Sequence, residues 1–93
     1  MRGKVEEKIP GGKLVKIEVE WDNLIKGVKI TGDFFAYPED VIENIEKALI
    51  GIPANESESV LLFNIQNVIE SQNAEMVGVS AVDLARLLKR VIG

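Results

Sequence analysis

From Leu14 to Trp21 apolar and polar positions alternate: Val15, Ile17, Val19 and Trp21 face one way, and Lys16, Glu18 and Glu20 the other. A period of two predicts a half-buried strand. Ahead of it, Val5, Glu7 and Ile9 predict a first strand over Lys4 to Ile9. Pro10-Gly11-Gly12 between them supplies one fixed φ followed by two permissive residues, so the segments form a hairpin. Past the polar turn at Trp21-Asp22-Asn23-Leu24, Val28, Ile30 and Phe34 continue on one face of a third strand. Gly27 and Gly32 within it mark a bulge or a close backbone approach.

At Pro38 the period lengthens to that of a helix. Pro38 suits a first helical position, and Glu39 and Asp40 in the first turn favour the positive end of the helix dipole. Val41, Ile42, Ile45, Ala48, Leu49 and Ile52 follow at helical spacing until Gly51 and Pro53 end the run. Asn55 with Glu58 resembles a capping box for a second helix, striped by Leu61, Leu62, Ile65, Val68 and Ile69. Ser80 with Asp83 repeats that logic before Leu84, Leu87, Leu88 and Val91, a third helix with Arg86, Lys89 and Arg90 at its cationic end. Ala74 to Val79 reads as a short extended connector. Strands precede helices, with no repeat, low-complexity stretch or linker. The expected class is α+β: a single domain over residues 1–93, built as a three-stranded antiparallel meander covered on one face by about three helices. The opposite face carries Lys16, Glu18, Glu20 and Lys29, so it is wet or meets a partner.

Composition narrows the chemistry. With 46% hydrophobic and 28% charged residues among 93, the chain is in the globular range. It has no cysteine and no histidine, which removes disulfides, thiol nucleophiles, imidazole bases and the usual zinc and iron–sulfur ligands. No apolar run approaches the roughly 18 residues of a membrane helix, and the first residues lack a signal peptide, so no membrane association and a cytoplasmic location are expected. The net charge of −4 is unevenly placed. Residues 1–37 hold seven Lys/Arg against six Asp/Glu, and residues 38–93 four against nine. No broad basic face is available for nucleic acid. Room remains for one small anion site in the first half.

Lys13 follows two glycines directly. The Pro10-Gly11-Gly12-Lys13 turn is able to present backbone N–H groups beside an ammonium, as an anion cradle does. The same residues suit any solvated hairpin turn, and spacing alone favours that plainer reading. Gly32-Asp33-Phe34-Phe35-Ala36-Tyr37-Pro38 concentrates the aromatics. Phe34 and Phe35 are expected to splay, one into the core and one under a helix, with Tyr37 as the surface contact. Asp33, Glu39, Asp40 and Glu43 invite comparison with a magnesium site or an acid–base pair, but nothing fixes two of them at a productive separation, and carboxylates suit a helix start. No catalytic residue and no metal ligand is assigned. Asn64, Gln66, Asn67, Gln72 and Asn73 read as the polar face of the second helix; Met76 and Val77 read as core.

The ordered set "PGGKL", "GDFFAYPED", "IEKALIG" and "EMVGVSAVDL" resembles the small C-terminal domain of lipoate-protein ligase, most closely the form made as a separate chain beside a large catalytic subunit. The resemblance runs from about Lys4 onward. It implies a fold similar to the SufE/NifU-like iron–sulfur scaffold and sulfur-acceptor proteins. It also implies a division of labour. The large subunit uses ATP, Mg2+ and lipoate to form lipoyl-adenylate, then lipoylates a lysine of an E2 lipoyl domain or the glycine-cleavage H protein. The small domain binds none of these alone and has no catalytic side chain; it closes over the site for activation and moves to admit the acceptor. On this reading Gly11, Gly12 and Lys13 contact the adenylate phosphates, and Gly32, Asp33, Phe34, Phe35 and Tyr37 meet the large subunit. A sulfur carrier of similar fold needs cysteine, which is missing. A non-catalytic adaptor acting through the exposed sheet face is the remaining alternative.

Overall fold

In the computed structural model, which describes residues 1–11 and 13–93, Ile17 stands opposite Val5 on one side and Ile30 on the other. These residues belong to β1 (Arg2–Ile9), β2 (Lys13–Trp21) and β3 (Ile25–Gly32). The three strands form an antiparallel meander with β2 in the centre. Val15, Ile17, Val19 and Trp21 are all buried, as their alternation predicts. The chain continues through β4 (Phe35–Tyr37), α1 (Val41–Leu49), α2 (Glu58–Ser71), β5 (Glu75–Val77) and α3 (Ala81–Ile92). The fold is α+β.

α1 lies against β3, α3 against β1 and β2, and α2 packs on α1 and α3. Leu84, Leu87 and Leu88 turn one side of α3 into the core while Arg86, Lys89 and Arg90 stay at or near the surface. Each buried leucine contributes about 2 kcal/mol by leaving water. The outer edge of β3 is tied down at two points: Ile30 N–H donates to Glu46 Oε2 at 2.7 Å, and Ile25 and residues 51–52 exchange two backbone bonds of 2.8 Å. Those bonds shorten the stretch of open edge on which another chain could add. The glycines behave as expected. The register slips between Glu20 and Trp21, where Glu20 pairs with Gly27 and Trp21 with Ile25, while Gly32 makes a close backbone approach to Leu14.

Several local expectations are corrected. β1 begins at Arg2, and β3 ends at Gly32, so Phe34 lies past the third strand. Helix α1 starts at Val41; the Tyr37–Pro38 peptide is cis, and Pro38 O accepts from Val41 N–H at 3.1 Å in a turn that keeps Pro38, Glu39 and Asp40 ahead of the helix. Asp40 occupies the N-cap position without capping, and its Oδ1 instead accepts from Gln72 Nε2 at 3.0 Å. Gln72 Oε1 accepts from Asn44 at 2.8 Å, so this amide ties α2 to α1. The cap of α2 is Ser57, whose Oγ accepts from Val60 N–H at 3.3 Å. Asn55 lies inside the preceding turn, closed by Glu56 N–H to Pro53 O at 3.1 Å, too early to cap. The Ser80–Asp83 capping box forms as expected. The 74–79 connector contains β5, which pairs antiparallel with β4 as a second, two-stranded sheet. Met76 packs on the core, but Val77 faces out and is 49% exposed.

Candidate functional site

The β1–β2 turn, the β3–β4 connection and the β5–α3 connection meet at one end of the molecule. Ile9 pairs with Lys13 across the turn, and Val15 pairs with Gly32. Asp33 N–H donates to Leu14 O at 2.9 Å. A Cβ on Gly32 would stand 2.1 Å from the same carbonyl oxygen, so this crossing requires glycine. Phe35 pairs with Val77, and the next residue, Gly78, lies against the stem of Lys13. The turn and the aromatic segment therefore form one surface.

Gly11 is exposed, with φ +107° and open space around its Cα; Gly12 lies outside the described residues. Lys13 is half-buried, yet among the described residues it makes no ion pair. Lys4, Lys8, Lys29 and Lys89 share this among the described residues, whereas Lys16 pairs with Glu18 at 3.8 Å, Lys26 with Asp22 at 2.5 Å and Lys47 with Glu43 at 3.1 Å. Lys13 differs from the other unpaired lysines in its place at the turn beside Gly78. Gly32 and Asp33 are exposed, and Phe34 is half-buried against the core. Phe35 does not lie under a helix; it is 72% exposed and Tyr37 76%. The reason is strand alternation in the small sheet. Ala36 and Met76 turn to the core, which sends Phe35, Tyr37 and Val77 outward. Sequence reading missed Val77 and Gly78 as parts of this surface, because a three-residue strand leaves almost no period to detect.

The described part of the site is an exposed surface of aromatic, apolar and cationic side chains. Among the described residues no polar or charged side chain is buried, so no desolvated acid or base is poised for proton transfer. Asp33, Glu39, Asp40 and Glu43 do not converge, and no acidic cluster among the described residues has the spacing to hold a metal ion. The two displaced carboxyl groups are explained by ion pairs elsewhere. The hydrogen bond from Arg86 chiefly holds Glu7 below the usual glutamate range, and that from Lys26 does the same for Asp22. The outer face of the meander has a shallow hollow of about 550 Å³ lined by Arg2, Lys4, Glu18, Glu20 and Lys29. Its charges are of mixed sign and partly self-paired, with Arg2 to Glu20 at 3.2 Å. That face is poorly suited to attract a strongly charged partner.

Comparison with known proteins places this geometry. The family described as bacterial lipoate protein ligase C-terminus matches residues 2–88. The chain belongs to that family. No curated protein matches the ligase C-terminal chain. Among solved structures it is similar to a chain from the structural analysis of an archaeal lipoylation system, a bi-partite lipoate protein ligase and its E2 lipoyl domain from Thermoplasma acidophilum. The TM-score is 0.71 at 27% identity, covering 95% of this chain and 97% of that one. Among the described residues no helix of this ligase C-terminal fold is long and apolar enough to cross a membrane.

Proposed function

We propose that this chain is the accessory subunit of a two-part lipoate-protein ligase, acting by association with a large catalytic subunit. The observation that carries the reading is the end-to-end similarity to a chain of the bi-partite archaeal system, 95% of one against 97% of the other, together with the family match. The partner is the subunit that holds lipoate, ATP and Mg2+; the acceptor is a lipoyl domain. For a phosphate contact this chain offers the Lys13 ammonium, which makes no ion pair among the described residues.

In the proposed complex Phe35, Tyr37 and Val77 seat on the large subunit, and Gly32 and Asp33 flank that contact. Lys13 then faces the phosphates at which negative charge grows as lipoate is activated to lipoyl-adenylate. A cation delivered by a closing lid acts where water is scarce, so its attraction counts for more. The same closure shields the adenylate from hydrolysis until the acceptor arrives.

Reconstitution tests the function. Large subunit, ATP, Mg2+, lipoate and a lipoyl domain are combined with and without this chain. Lipoylation that depends on the chain is expected; equal rates without it refute the proposal. Lys13→Ala is expected to slow adenylation while sparing transfer from preformed lipoyl-adenylate, and equal slowing of both steps refutes the role of Lys13.

A further inference from the structure

We propose that Gly78 is a positioning residue for Lys13: its bare Cα is the floor along which the lysine stem lies, and any side chain there swings the ammonium out of the site. The inference rests on reading Lys13 as a donor to phosphate charge. A Cβ built on Gly78 would lie 2.6 Å from Lys13 Cγ, 3.3 Å from its Cβ and 3.4 Å from its Cδ. Three successive carbons thus run over Gly78, so the contact extends along the stem. Restricting the inner rotamers lowers the entropy lost when the cation meets its ligand.

Both sides of this contact are anchored. Lys13 is held by its pairing with Ile9, and Gly78 directly follows Val77, which is paired with Phe35. On the far side of Gly78, Val79 is buried and Ser80 is fixed as the α3 cap. The backbone at 78 has little freedom to withdraw, and a methyl group there displaces the lysine. Its φ of +93° makes a second, independent demand for glycine. The experiment has to separate the two.

Lys13→Ala, Gly78→Ala and the double variant are assayed with the large subunit for lipoate-dependent ATP–pyrophosphate exchange, and separately for transfer from preformed lipoyl-adenylate. Each single variant is expected to slow exchange by about a hundredfold, the scale of a lost or misplaced electrostatic donor. Transfer should stay near the wild-type rate, and the double variant should be no slower than Lys13→Ala, because Gly78 acts through Lys13. Wild-type exchange in Gly78→Ala beside a slow Lys13→Ala overturns the seat and leaves the Lys13 reading standing; losses that multiply in the double variant also overturn it. Wild-type exchange in Lys13→Ala instead removes the Lys13 reading. The seat is then decided on the unmodified chain by nuclear Overhauser contacts between the Gly78 α protons and the Lys13 γ and δ methylenes, whose presence supports it and whose absence overturns it. The same measurement decides the matter if Gly78→Ala does not fold.

Discussion

Arg86 on α3 donates to Glu7 Oε2 on β1 at 2.8 Å, joining the last helix to the first strand, and Arg90 pairs with Glu7 Oε1 at 2.9 Å. Glu7 lies on the helix-facing side of the sheet, where an apolar residue would otherwise be expected, and two guanidinium groups offset that choice. Its pKa is lowered, first by the hydrogen bond from Arg86 and then by Arg90. A carboxyl group held down in the folded state stabilises the fold above its unfolded pKa and loses that contribution as pH falls through the folded value. The loss therefore sets in at about pH 4.3, the ordinary glutamate value, and grows below it. Thermal melts of wild type and Glu7→Gln should differ at neutral pH and converge in acid. A constant gap across that range would show that the ion pairs do not link β1 to α3.

Gly32 and Gly11 give a contrast in cost. A methyl group on Gly32 meets the Leu14 backbone carbonyl at 2.1 Å, and backbone cannot rotate aside. Gly32→Ala should cost about 2 to 4 kcal/mol, the range of overpacking and backbone strain together. Gly11 has nothing within 4 Å and only a positive φ to maintain. Gly11→Ala should cost about 1 kcal/mol. Urea unfolding of the two variants orders them, and equal losses would mean that the Leu14 crossing is looser than described.

The helix caps are separable in the same way. Ser80 Oγ accepts from Asp83 N–H at 3.1 Å while Asp83 Oδ2 accepts from Ser80 N–H at 3.0 Å. Ser80→Ala should lose about 1 kcal/mol. Asn55→Ala should stay within about 0.5 kcal/mol of wild type, because Asn55 caps nothing. Chemical denaturation reads both, and a larger loss at Asn55 would return the start of α2 to that residue.

These residues also show what the sequence disclosed and why it stopped. β2 was legible because its alternation persists for a full strand, and α3 because a capping box, a leucine stripe and a cationic end agree with one another. The N-cap of α2 was misplaced since Asn55 and Ser57 are both good cap residues, and only the Pro53–Glu56 turn decides between them. β4 and β5 were hidden because a three-residue strand has meaning only through its partner, which lies far along the chain. Lys13, Phe35 and Tyr37 were identifiable as residue types. Their convergence with Val77 and Gly78 is a product of tertiary pairing and could not be read from local pattern.

Phe35 and Tyr37 allow docking to be tested apart from folding. Both are more than two-thirds exposed, at 72% and 76%, so they contribute little to the core of the free chain. Phe35→Ser and Tyr37→Ser should leave its stability within about 0.5 kcal/mol of wild type. If the surface seats on the large subunit, each change removes an aromatic anchor of the kind that dominates interface energies, and affinity should fall at least about tenfold. Phe63 on α2 is the control, because it is 65% exposed but belongs to a different element. Phe63→Ser should leave affinity unchanged, which separates a specific seat from a general dependence on exposed aromatics. Titration calorimetry with the large subunit, beside denaturation of each free variant, makes the comparison. Lost affinity in Phe63→Ser with none in Phe35→Ser would move the interface to the α2 face.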